Sequence, residues 1–130
     1  MSLQRQEKKV YFESLRNLDY EVARSSWVGD YNDPNTFLDM FLSANGNNQT
    51  GWKSPAYDAL IDAAAAESDA AKRNRSLRDA ESMLVGSECI VAPVYHYVGV
   101  QFYDAGKLGG IEANVLDEHP VRTMFWKQHP

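Results

Sequence analysis

The 130 residues carry a net charge of −5, with 44% hydrophobic and 24% charged residues, the balance of one soluble globular domain. Mixed charge without a basic run excludes nucleic acid and anionic membrane as partners, and no apolar stretch is long enough to span a bilayer. One cysteine, Cys89, leaves no internal disulfide and is expected to be a buried, inert thiol.

In chain order, Gln4 to Leu18 places Val10, Tyr11, Leu15 and Leu18 at helical spacing among charged residues, predicting an amphipathic helix. The polar residues after Met1 form no secretory h-region, and Met1, Ser2 and Leu3 read as an expression scar replacing upstream sequence. Tyr20 to Trp27 reads as a strand that breaks at Gly29, opening the polar turn Asp30-Tyr31-Asn32-Asp33-Pro34. Thr36 to Leu42 predicts a short helix, ended by the Asn/Gly/Gln-rich loop Asn45 to Thr50.

Ser54-Pro55 supplies an N-cap followed by proline at the first helical position. Tyr57, Leu60, Ile61 and Ala64 make the apolar stripe behind it. Asp69 caps a second helix through Leu84, with Leu77, Ala80 and Leu84 inward, Lys72, Arg73, Arg75 and Arg78 outward, and Gly86 as its stop. Ile90 to Phe102, rich in valine and tyrosine, reads as a long strand. A glycine-rich turn from Gly106 to Gly110 precedes a last strand within Val121 to Trp126 and a polar tail from Lys127 to Pro130. The fold class is α/β, with three strands forming a thin sheet for so many helices.

Catalytic signatures are absent: there is no nucleophile elbow, phosphate loop, dinucleotide fingerprint or zinc-protease helix. His96, His119 and His129 are far apart; His96 is expected to be partly buried beside a neighbour, and His119 lies in a loop before Pro120. Acid–base chemistry by Asp30, Asp33 and His96 requires all three in one cleft, whereas turn chemistry explains both aspartates. No catalytic residue, metal ligand or cofactor is assigned.

The segment Arg24-Ser25-Ser26-Trp27-Val28-Gly29-Asp30-Tyr31-Asn32-Asp33-Pro34 precedes Phe37-Leu38, Asn47-Asn48, Lys53-Ser54-Pro55-Ala56-Tyr57-Asp58 and Ile90-Val91-Ala92-Pro93-Val94-Tyr95-His96-Tyr97-Val98. In order and spacing these motifs resemble the C-terminal region of the oligopeptide-binding proteins of ABC importers, extracellular solute-binding proteins of family 5. The resemblance runs from about residue 9 to residue 126. It implies a fragment of a protein about four times longer, with a class II, periplasmic-binding-protein-like fold of two lobes. Residues 1–97 then correspond to part of the C-terminal lobe and residues 98–130 to a segment returning to the first lobe.

The same resemblance implies a function outside the cytoplasmic membrane, in the periplasm or at the cell surface. The protein would capture oligopeptides and deliver them to a membrane permease by hinge closure, without acting as an enzyme. It places Asp30 against the peptide α-ammonium, Trp27 in the wall of a side-chain pocket, and Arg24 toward the peptide's C-terminal part. The backbone of Val28 and Gly29 would lie along the extended ligand, with Tyr95 and Tyr97 in the groove. Val28 stands where several relatives carry cysteine, and His96 where they carry a second tyrosine. A structural ion pair is the competing role for Arg24. The competing reading of the whole chain is a self-standing interaction module in which the helix pair from Pro55 to Leu84 and the aromatic strand form an oligomerisation surface that covers the exposed sheet edge.

Overall fold

The computed structural model describes residues 3–114 and 116–128. Met1, Ser2, His129 and Pro130, on which the expectations of a scar and a polar tail partly rest, lie outside the described residues. The helices form largely where capping chemistry places them. Helix α1 (Lys8–Asn17) starts where the Glu7 carboxylate accepts the Lys9 N–H at 3.0 Å, and ends at Leu18 in the left-handed region (φ 56°). Only Leu15 of its apolar positions is buried; Val10 and Leu18 are about half exposed, so the expected stripe is narrower than its spacing suggests.

Helix α2 (Asn35–Leu38) follows Pro34 and runs into a 3-10 turn, Asp39–Phe41. Helix α3 (Pro55–Ala66) has Ser54 as N-cap, its hydroxyl accepting the Tyr57 N–H at 3.3 Å. Helix α4 (Ala70–Glu81) is capped by Asp69, whose carboxylate accepts the Lys72 N–H at 2.9 Å. It continues as a π-helical turn, Ser82–Ser87, which includes Gly86. After that turn the Ile90 N–H closes back onto the Leu84 carbonyl at 2.9 Å.

The core is the α3–α4 hairpin and what packs against it. Tyr57, Ile61 and Ala64 meet Leu77, Ala80 and Leu84, with Leu38 of α2 alongside and Trp52 at the margin. Tyr57 is fully buried: its ring meets Trp52 edge-on at 5.0 Å, and its hydroxyl donates to the Leu38 carbonyl at 2.8 Å. Burial, followed by the nearby Asp39 and Asp58 charges, pushes that phenol's pKa well up. The 45–50 loop is organised by Asn48, whose amide donates to the carbonyls of Phe41, Leu42 and Trp52.

The expected long strands do not form ladders. Among the described residues, the only strands are β1 (Leu108–Gly109) and β2 (Phe125–Trp126), paired antiparallel with Leu108 opposite Trp126 and Gly109 opposite Phe125. A Cβ on Gly109 would press into the Phe125 ring at 2.5 Å, so a larger residue there would displace that exposed ring. Val121–Thr123, expected as strand, is a 3-10 turn.

Tyr20–Trp27 and Ile90–Phe102 have strand composition, but a strand is completed by a neighbour's carbonyls and amides. No backbone–backbone hydrogen bond among the described residues involves Ser25–Gly29 or Val91–Tyr103. Their side chains stand out correspondingly, with Val94 at 86%, Phe102 at 94% and Val28 at 69% exposure. Such a continuous apolar run is more than single surface residues account for.

Two local expectations fail. Cys89, just beyond the π turn, is exposed in the left-handed region at φ 50°, and its thiol donates to the Gly86 carbonyl at 3.3 Å. His96 is also exposed, since the segment carrying it packs on nothing that would cover it. Among the described residues no helix is long and apolar enough to cross a membrane, and no group of three His, Cys, Asp or Glu side chains forms a metal site.

Candidate functional site

The segment from Arg24 to Pro34 carries five of the seven residues singled out from the sequence, and two separate structures hold it. At its far end, the turn folds on its own polar groups. The Asp33 carboxylate accepts the Asn35 N–H at 2.9 Å, and Thr36 and Phe37 donate their N–H groups to the carbonyls of Asp33 and Pro34. Asp33 also accepts from Arg73 of α4 at 2.8 Å, a pair in which each side chain is under a third exposed. The Arg73 hydrogen bond holds the Asp33 carboxyl below the usual carboxylate range against an opposing desolvation effect. Arg73 is thus a strut rather than part of the expected solvated face.

Gly29 is buried in this turn. A Cβ there would approach Thr36 Cγ2 at 3.1 Å and Phe37 Cζ at 3.2 Å, leaving little room for any side chain. The Asp30 N–H donates to Thr36 Oγ1 at 3.0 Å, and Thr36 is 1% exposed, the one polar residue of the buried set among the described residues. The Asp30 carboxylate itself is exposed and has no ion-pair partner among the described residues. Trp27 and Val28 also face outward.

At the near end, Arg24 is fixed from two sides. The Tyr11 hydroxyl of α1 donates to the Arg24 carbonyl. The guanidinium donates to Tyr95 Oη at 3.0 Å and Tyr97 Oη at 3.1 Å, and the Tyr95 hydroxyl donates to Tyr97 at 2.9 Å. The two rings meet edge-on at 5.0 Å. Hydrogen bonding with Tyr97, and then with Arg24, lowers the Tyr95 pKa.

Three of the predicted residues, Arg24, Tyr95 and Tyr97, therefore converge although 71 and 73 positions separate the arginine from its partners. No carboxylate among the described residues pairs with Arg24, so the structural ion pair does not form. The acid–base alternative meets a different arrangement: Asp33 is engaged by Arg73 and Asn35, and His96 makes no hydrogen bond among the described residues.

Sequence reasoning missed Thr36, Arg73 and Tyr11. Thr36 sits in the first turn of α2, and its hydroxyl accepts from an amide six residues back, a contact that residue type and spacing do not single out. Arg73 and Tyr11 depend on tertiary contact across 40 and 13 positions, for which local pattern holds no signal.

Chemically, the segment offers a run of unpaired backbone with a cation at one end and an anion at the other. Comparison with known proteins gives the family in which this segment occurs. The chain is 38% identical over 128 residues to the oligopeptide-binding protein OppA of Bacillus subtilis, covering 98% of this chain and 23% of that one. It is 34% identical over 129 residues to the periplasmic murein peptide-binding protein MppA of Escherichia coli, covering 99% and 24%.

A solved structure of the MppA periplasmic murein tripeptide-binding protein, in its unliganded open form, superimposes with a TM-score of 0.80. It shares 35% identity, over 97% of this chain and 24% of that one. No family model matches the chain. By sequence and fold the chain belongs to the family of bacterial oligopeptide-binding proteins, with the lobe architecture of that family, and it spans about a quarter of the length of the relatives it matches.

Proposed function

We propose that this sequence works as part of a two-lobed receptor that captures oligopeptides outside the cytoplasmic membrane and delivers them to an ABC-transporter permease, without catalysing a reaction on them. The observation that carries the reading is a pair of charges without an ion-pair partner among the described residues, Arg24 and Asp30, at the two ends of a run without backbone partners that is exposed from Ser25 to Val28 and buried at Gly29. Every unmodified peptide carries an α-ammonium and an α-carboxylate whatever its sequence. A receptor that engages these ends and the main chain accepts many sequences.

In this reading Asp30 takes the ammonium through a charge-assisted hydrogen bond, and Arg24, oriented by Tyr95 and Tyr97, faces the C-terminal part of the ligand. Trp27 walls a side-chain pocket, while Val28 and Gly29 present main-chain groups to the peptide. Residues 1–97 belong to the second lobe and residues 98–130 to the return toward the first. The exposed run from Val94 to Phe102 is then surface covered by the remainder of a longer chain. The comparisons favour this over an oligomerising module, because their matched relatives are peptide-binding proteins.

The test is calorimetry with a mixed pool of tri- to pentapeptides, on the chain as it stands and on a form extended to the two-lobed length. The extended form is expected to bind and the shorter one to bind little. Asp30→Asn in the extended form should cost about 2–5 kcal/mol of binding free energy, the usual loss when one partner of a buried charged pair is removed. Indifference of the extended form to peptides would leave the family assignment standing and overturn the ligand class.

A further inference from the structure

Resting on the assignment of Asp30 to the ligand's α-ammonium, we infer that Thr36 is the positioning residue that sets this carboxylate and with it the preference for peptides with a free amino terminus. Its hydroxyl accepts the Asp30 N–H at 3.0 Å, and the residue is 1% exposed, so the bond is shielded from competing water. Asp30 has no other fixed attachment among the described residues: its side chain is exposed and unpaired, and the only hydrogen bond of its backbone is the one its N–H donates to Thr36.

The surrounding contacts make this hydroxyl a reference point. Gly29 lies against Thr36 and Phe37, where a Cβ would fit only if those side chains gave way by a few tenths of an ångström. Thr36 is itself held by its N–H bond to the Asp33 carbonyl, and Asp33 is tied to α4 by Arg73. A chain of contacts thus runs from the hairpin core through Arg73, Asp33 and Thr36 to the Asp30 backbone. Thr36 touches no ligand in this scheme and acts only through Asp30. Placement of a charged group to within a fraction of an ångström is what a charge-assisted bond of defined geometry needs.

The experiment compares two probes on the extended, two-lobed protein: a tri- to pentapeptide pool and the same pool N-acetylated. Wild type is expected to prefer the free-amine pool. Thr36→Val, similar in shape but without the hydroxyl, is expected to lose roughly tenfold in affinity for the free-amine pool and none for the acetylated pool, in keeping with the removal of one buried hydrogen bond. Thr36→Ser is expected to restore the preference. If Thr36→Val does not fold, Thr36→Ala is read in its place, since it removes the hydroxyl without setting a methyl against the Asp30 amide.

A wild type that binds both pools equally would overturn the Asp30 assignment, and this inference with it. A wild type that discriminates, alongside a Thr36→Val variant with the same ratio, overturns the role of Thr36 alone. Equal losses on both pools, unrepaired by serine, reduce Thr36 to a structural residue and overturn the inference as well.

Discussion

Asp33 and Arg73 show at single-residue scale how the turn bearing Asp30 is tied to the core. Their 2.8 Å contact is partly shielded, and the carboxyl's pKa is depressed chiefly by the arginine. A folded-state pKa below the unfolded value means that the stabilisation is fully present above the unfolded pKa, near 4, and is lost as pH falls through the lower, folded value. Asp33→Asn is therefore expected to destabilise the protein at neutral pH by up to about 1 kcal/mol, as pairs of this exposure do. Denaturant melts across a pH series should show the gap between variant and wild type closing below about pH 4. A gap constant down to pH 2 would assign the loss to the Asn35 turn instead of the ion pair.

The turn chemistry of Asp33 is legible in the sequence because it is local. The Arg73 partner is not, because a surface arginine on an amphipathic helix has the same local pattern whether it meets water or a carboxylate.

Among the elements, α3 and α4 were the most readable, since Ser54, Pro55 and Asp69 begin them and the Tyr57–Ile61–Ala64 and Leu77–Ala80–Leu84 stripes face one another. Two substitutions probe this hairpin. Leu77→Ala, at 3% exposure, should cost about 2–4 kcal/mol through lost burial and the cavity left behind. Ser54→Ala should cost about 1 kcal/mol through the lost cap. Equilibrium unfolding in urea reads both, and a Leu77→Ala cost below that of Ser54→Ala would contradict the packing described.

The expected long strands do not form because the valines and tyrosines of Val94–Val98 specify an extended, β-prone chain but not where its hydrogen-bonding neighbour lies. The candidate site shares this division. Its residues could be named from a family pattern, whereas the convergence of Arg24 with Tyr95 and Tyr97 exists only once the chain is folded.

Across the whole molecule, the helical hairpin is well covered and the segment from Val91 to Tyr103 is not. Its backbone amides have no backbone partners among the described residues, and they are expected to exchange with solvent near the rate of an unstructured peptide in the chain as it stands. In the extended two-lobed form they should be strongly protected, because there the segment would gain strand neighbours. Hydrogen–deuterium exchange resolved by peptide compares the two. Equal, fast exchange in both forms would mean that nothing covers this surface and would overturn the proposal that the remainder of a longer chain packs on it.

The three-residue link between α3 and α4 has a kinetic consequence. Only Glu67 to Asp69 separate the two helices, so their contacts close a short loop at little entropic cost, whereas Arg24 must find Tyr95 across 71 positions. Contacts between near neighbours in sequence form early, and those between distant ones wait for the chain to be gathered. The hairpin is thus the natural nucleus of folding, and the arrangement of Arg24 with Tyr95 and Tyr97 forms late, on a scaffold already in place.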